Sequence, residues 1–260
     1  MPKPFSLSPS KLSILKECPR CFYDAVVLHV ARPRGAFPSL PGGMGLIVKA
    51  YVDQFRGALP PQLQGRVPGV LYPDLAVLRR LRNWRSGLSV SLTFDVRGNS
   101  VGVKLIGALD DLLVVGSQYA PLDTKTKGSA PKDDGSQFYQ TQLDCYALLL
   151  EANGMPPTDS GFLWYWWPAT VASKPDPAAN SRGPVEFETV VYEINTRTDR
   201  ARTLMQAAAD VLTGERPVSA SGCDYCQFAL AYQGLATSAS EEPEEHESDH
   251  ARAPEQYGLY

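Results

Sequence analysis

The sequence predicts an α/β fold: a central mixed sheet flanked by helices. Three observations predict it. Strand-like segments run from Leu88 to Lys127, a helix with a strong apolar stripe follows from Gln137 to Asn153, and two more strand segments precede another helix. The order of helices, three strands, helix, two strands and helix requires a sheet covered at least partly on both faces.

Each element has a local reason. Ser8-Pro9 is a helix start, with the serine at the N-cap and proline at the first helical position, and the helix is expected over Pro9–Glu17. Arg32 to Gly43 is rich in proline and glycine and reads as a loop. Met44 to Arg56 reads as a helix with Ile47, Val48, Tyr51 and Phe55 on one face. A second loop spans Pro60 to Pro73, and Asp74 to Arg85 is a short basic helix carrying Arg79, Arg80, Arg82 and Arg85. Strands are expected at Leu92–Val96, at Val101–Val115 as one long segment, and at Tyr119–Lys127, joined as an antiparallel meander by turns at Gly98-Asn99 and Gly116-Ser117-Gln118. Gly154 and Pro156-Pro157 end the Gln137–Asn153 helix. Phe162–Trp167 and Val185–Ile194 are strands around a Pro/Ala/Ser-rich loop, Pro168–Gly183, and Thr198–Thr213 is a helix stopped by Gly214 and Pro217.

At 260 residues, with 43% hydrophobic and 20% charged residues, the chain can bury a substantial core and reads as one elaborated domain. No apolar run is long enough to span a bilayer, and the N-terminus lacks the apolar core of a signal peptide, so no membrane association and a cytoplasmic location are expected. The net charge of -3 is unevenly placed. From Glu241 to Tyr260 there are seven acids and one base, which leaves 24 bases against 21 acids in the body. A mildly basic body permits phosphate contacts. The expected division is therefore a domain over 1–236 and an acidic, disordered tail over 237–260.

Gly107-Ala-Leu-Asp110 and Asp123-Thr-Lys125 carry the chemistry. Each carboxylate comes from a segment of strand character, and alternation puts Lys125 on the same face as Asp123. Hard oxygen ligands of this kind hold Mg2+ or Mn2+, and an adjacent cation can stabilise charge developing on a phosphodiester. An Asp-x-Lys triplet alone is common, and Lys125 could be an exposed edge lysine. Asp110, however, interrupts an otherwise apolar stretch, where burying an acid is costly unless it binds something. In the helix that follows, Gln142 and Tyr146 stand at i and i+4 on one face.

Gly107-x-x-Asp110, Asp123-x-Lys125 and Gln142-x-x-x-Tyr146, in that order, resemble the motifs of the PD-(D/E)XK nuclease superfamily, and most of all its RecB-like branch, which includes CRISPR-associated spacer-acquisition nucleases and AddB-type repair subunits. The resemblance implies a restriction-endonuclease-like core and hydrolysis of DNA, in repair, recombination or CRISPR-type processing. It implies Asp110, Asp123 and the Thr124 carbonyl as metal ligands, Lys125 as the catalytic lysine, Gln142 as an orienting residue, and Tyr146 as its support or a DNA contact. It also implies DNA, including single-stranded DNA, as partner, together with a helicase or a CRISPR-adaptation protein. The chain departs from the family at the first motif. Gly45-Leu-Ile-Val-Lys49 stands where such proteins often have Gly-x-x-x-His, and a protonated lysine cannot ligate a metal. Asp53, one turn later, is the substitute carboxylate expected there.

Five cysteines in a chain of this kind argue against a disulfide framework. Cys18-Pro-Arg-Cys21 and Cys223-Asp-Tyr-Cys226 match four-thiolate coordination and are expected to join the two ends through a metal, while Cys145 reads as a buried small residue. Their spacing allows zinc as readily as iron. The resemblance implies a 4Fe-4S cluster, although relatives divide their cysteines one and three rather than two and two.

Trp164, Tyr165, Trp166 and Trp167 offer rings for stacking bases or for packing a core. The three histidines receive no role. Two other function classes remain open. One is a nucleic-acid-binding module of the same fold with impaired catalysis, and the other is a zinc-stapled interaction domain that would leave Asp110, Asp123 and Lys125 without purpose.

Overall fold

The stretch expected as one long strand changes sheets part-way. Val101–Val115 divides into β4 (Asn99–Gly107) and β5 (Asp111–Val115), separated by Ala108, Leu109 and Asp110. The meander is therefore two hairpins in two sheets. In the computed structural model, which describes residues 3–33, 35, 39–85, 87–132, 138–169 and 185–239, β4 pairs antiparallel with β3 (Leu88–Val96) around a turn at Arg97-Gly98. Both turn residues have positive φ, as a two-residue hairpin requires, and Asn99 opens the next strand instead of lying in the turn. On its other side β4 pairs in parallel with β1 (Phe5–Leu7), completing a three-stranded sheet.

The second sheet is mixed. Its order is β2 (Val70–Leu71), β5, β6 (Gln118–Thr126), β7 (Ser160–Pro168) and β8 (Phe187–Asn195). Gly116-Ser117 closes the β5–β6 hairpin. The β6–β7 pair is parallel, so the chain must cross over between them, and helix α5 (Gln140–Ala152) makes that crossing. Leu148, Leu149 and Leu150 are all fully buried, so α5 is covered on more than one side. Strands lie beneath it, and α1 (Pro9–Glu17) and α6 (Thr198–Leu212) pack against it. Each such leucine contributes roughly 1.5–3 kcal/mol by leaving water. Ser8 caps α1 by accepting from the Lys11 amide, as its sequence position requires.

Period-two alternation along β6 and β7 sorts the side chains into two cores. Leu122, Phe162, Trp164 and Trp166 join Val48 and Val52 of α3 (Ser39–Val52). Leu163 and Tyr165 face α5 instead. Trp164 and Trp166 are thus buried packing residues and not platforms for bases, while Trp167 is half-buried. The structure adds α2 (Pro19–Val26), a 3-10 turn at Asp53–Phe55 and α7 (Asp224–Ala239), and it starts α3 five residues before the expected Met44, through the segment read as a loop. The basic helix is short, α4 (Leu75–Leu81), with Asp74 as its N-cap. Contacts divide the chain into a unit over Met1–Ser221 and a second over Gly222–Tyr260, within which α7 is the described helix. The Pro168–Gly183 loop beyond residue 169 and the acidic tail beyond 239 lie outside the described residues.

Gly107, at the end of β4, lets α5 come close. A Cβ there would stand 2.5 Å from Leu149 Cδ1 and 3.5 Å from Tyr146 Cε1. Gly107→Ala is expected to cost about 1–3 kcal/mol in urea unfolding, and Leu149→Val in the same chain should recover part of that loss.

Candidate active site

Asp110 lies in the three-residue crossing between sheets, and five hydrogen bonds fix that crossing and the residue after it. The Leu109 amide donates to the Leu81 carbonyl at 3.0 Å, at the C-terminus of α4. Arg82 Nε donates to the Asp110 carbonyl at 2.7 Å. The neighbouring Asp111, almost fully buried, receives two bonds from Arg56 at 2.7 and 2.6 Å and a third from Arg82 at 3.2 Å. With Asp111 drawn into the protein by two arginines, the Asp110 side chain is left partly exposed at the site.

Asp123 comes from the next strand. It is 1% exposed, and alternation turns it to the α5 face. Gln142, in the first turns of α5, connects the group. Its Nε2 donates to Asp123 Oδ1 at 3.0 Å and to the Tyr146 hydroxyl at 2.6 Å, while its Oε1 accepts from Lys125 Nζ at 3.2 Å. The i, i+4 spacing of Gln142 and Tyr146 therefore does what the sequence suggests, placing both on one helix face. Lys125 Nζ also lies 2.6 Å from Asp123 Oδ2 and 4.3 Å from the centre of the Tyr139 ring. The Lys125–Asp123 contact is an ion pair without the alignment of a hydrogen bond, so Asp123 Oδ2 is buried with no aligned donor. Thr124 sits between Asp123 and Lys125 in β6, opposite Trp164.

Lys49 reaches the same group from α3. Its Nζ donates to Asp110 Oδ1 at 2.6 Å. Lys49, which the sequence sets in place of a histidine, thus puts a cation beside Asp110. Asp53 is engaged by arginines instead: its oxygens pair with Arg56 at 3.0 Å and Arg82 at 2.8 Å, and among the described residues Asp53, Asp110 and Asp123 do not form a metal-holding group. Asp111, Arg56 and Arg82 are the residues that sequence reasoning missed. The signals were there in two consecutive acids at the start of an apolar strand, and in Asp53 and Arg56 one helical turn apart.

A family model described as the PD-(D/E)XK nuclease superfamily matches residues 71–230, a span that contains Asp110, Asp123, Lys125, Gln142 and Tyr146. The chain belongs to that superfamily. Its members are nucleases that use divalent metals to hydrolyse phosphodiester bonds. No curated protein matches the chain in sequence. Among solved structures, that of SSO0001 is similar at a TM-score of 0.41 and 17% identity, covering 88% of this chain and 87% of that one. No helix of the described residues is long and apolar enough to cross a membrane.

The cysteines also meet. Cys18, Cys21, Cys223 and Cys226 are buried, and one sulfur from each lies within 4.8 Å of the others, so the four could bind a metal. Arg32 hydrogen bonds to Cys21. Cys145 stands apart in α5, where burial, and secondarily Asp144, push its thiol up to about 12.

Burial raises the Asp123 carboxyl to about 6, against the pull of Lys125 and with a further push from Asp110. Tyr146 is raised as well, chiefly by burial, and stays protonated. An Asp whose folded value lies above its unfolded value near 3.9 holds its proton better when folded, so stability rises as pH falls from 7 through about 6 and levels off below about 4. In chelator, Asp123→Asn is expected to remove that component from the pH dependence of thermal unfolding. A variant with the same pH slope as the parent would show that Asp123 does not titrate there.

Proposed function

We propose that this chain is a Mg2+- or Mn2+-dependent deoxyribonuclease of the RecB-like branch, acting in DNA repair and recombination or in CRISPR-type DNA processing in the cytoplasm. The observation that carries the reading is Asp123, buried to 1% exposure with Oδ2 lacking an aligned donor and sharing its site with Asp110 and two lysines. A donor set of hard oxygens fits a divalent cation. Asp110, Asp123 and the Thr124 carbonyl would hold it, and when bound it would polarise the phosphoryl oxygen and acidify a water.

The side chains divide the remaining work. Lys125 is held at once by Asp123 and Gln142, so its ammonium is set in place before substrate arrives and can stabilise charge on the phosphate or orient the attacking water. Gln142 fixes both partners, and the Tyr146 hydroxyl fixes the orientation of the Gln142 amide by accepting one of its protons. Lys49 neutralises Asp110 and offers a second cation to a phosphate. Its position favours one alternative reading, a nucleic-acid-binding module in which that ammonium blocks the ligand and catalysis is impaired.

The cysteine group is proposed as a 4Fe-4S cluster, with structural zinc as the alternative. Arg32 beside Cys21 favours thiolate, which either metal needs. A helicase or a CRISPR-adaptation protein is the partner proposed.

Cleavage of labelled DNA should require Mg2+ or Mn2+, and Asp110→Ala or Lys125→Ala should lower it by at least about 100-fold. Cleavage untouched by either substitution would end the nuclease reading, whereas metal-independent DNA binding without cleavage would favour the binding module. Anaerobically purified protein should carry iron and sulfide with visible absorbance, which is lost in Cys18→Ala and Cys223→Ala. Zinc in their place would reject the iron-sulfur assignment.

A further inference from the structure

The crossing that carries Asp110 is tied to the end of α4, and that end continues into the most exposed aromatic–cationic pair near the site. Trp84 is 68% exposed, and the Arg85 guanidinium lies 5.1 Å from its ring centre. Trp84 is only two residues past Arg82, whose Nε holds the Asp110 carbonyl, and three past Leu81, whose carbonyl holds the Leu109 amide. The turn itself is held by Asn83, whose side-chain oxygen accepts from the Arg85 amide at 2.9 Å. Arg79 and Arg80 are exposed on α4, and among the described residues neither they nor Arg85 form an ion pair. Leaving a tryptophan in water forfeits its large burial energy. The core took the other large tryptophans of the sheet, Trp164 and Trp166, but not this one.

We infer that Trp84 and Arg85 form a stacking platform for an unpaired base of a single-stranded nucleic acid, with Arg79 and Arg80 on the adjoining phosphates. This rests on the nuclease reading for its partner, but it adds which strand form is held and where. Three arginines that form no ion pair among the described residues complement a phosphate backbone. An exposed indole beside a guanidinium offers a flat face to any base without regard to sequence, and a duplex keeps its bases stacked on each other and unavailable. Continuity through Arg82 and Leu81 sets the platform within a few residues of Asp110.

Trp84 is the most exposed of the four tryptophans, and the difference in emission between the parent and Trp84→Phe reports on it. The whole protein is titrated in chelator, where no cleavage can occur, with a mixed-sequence single-stranded oligodeoxynucleotide and with the matching blunt duplex. The single strand should quench the emission, and Trp84→Phe should abolish that quenching. Trp84→Ala should weaken single-strand binding roughly tenfold while duplex binding changes far less. Arg79→Ala with Arg80→Ala should weaken both and flatten the salt dependence. All four positions are exposed, and an unchanged melting temperature confirms that the variants fold.

Quenching that persists in Trp84→Phe, equal losses on single strand and duplex, or undiminished single-strand binding by Trp84→Ala would each overturn the platform. Failure to bind any oligonucleotide would also overturn it, leaving a protein partner for the exposed indole. A protein that cleaves DNA while Trp84 stays unquenched keeps the hydrolytic reading and loses this one. A protein that binds and is quenched but never cleaves does the reverse.

Discussion

The buried carboxylate of Asp111 is the constraint on which the site depends. It accepts from both Arg56 and Arg82, and its Oδ1 also takes the Leu112 amide at 2.7 Å. A charge so far from water is tolerated only when every lone pair is engaged, and removing one partner of such a pair typically costs about 3–5 kcal/mol. That interaction decides where the chain stops belonging to the three-stranded sheet and starts belonging to the mixed one. Because Asp111 is pinned inward, Asp110 is delivered at the junction with its backbone held by Arg82 and its side chain turned to Lys49. Consecutive aspartates, identical in type, therefore face opposite ways, one buried between two arginines and the other partly exposed beside Lys49.

Charge balance shapes the rest of the site. Two carboxylates stand close enough for Asp110 to raise Asp123, which would strain a folded chain without a compensating cation. Lys125 and Lys49 supply that compensation, each 2.6 Å from one of them. The cluster is thus balanced before any ion or substrate arrives. Three groups surround Lys125 (Asp123, Gln142 and the Tyr139 ring), whereas Lys49, among the described residues, hydrogen bonds to one carboxylate oxygen and is about one-third exposed. The two lysines are not equivalent. One is built into the site, and the other is a cation that a competing charge can displace.

Much of the site was legible in the sequence because its members are close along the chain and follow simple periods. Period two put Asp123 and Lys125 on one face, and i, i+4 put Gln142 under Tyr146. The helix boundaries of α1 were legible from Ser8 and Pro9, since capping is local chemistry. What escaped was non-local. The break of Val101–Val115 into two strands depends on Arg82 and Arg56, 28 and 55 residues away from their partners, and the two consecutive acids that mark the spot do not by themselves name those partners. Trp164 and Trp166 of β7 read as base-stacking rings or, more readily, as packing, and the position of α3 over that face decides for packing. Asp53 misled for a related reason. It has the right type of side chain at the right spacing, but two arginines from different elements claim it first.

The parallel pairing of β6 with β7 also bears on how the site forms in time. Asp110, Asp123, Lys125, Gln142 and Tyr146 all belong to one continuous β5–β6–α5 segment and its leading junction, so their meeting closes only short loops. Lys49 must be brought across 61 residues. Short-range contacts form ahead of distant ones because closing a long loop yields nothing until it is complete. The cluster of these five residues is thus a local event in folding. The second lysine is a late arrival whose docking on Asp110 reports that the N-terminal part of the chain has found its place.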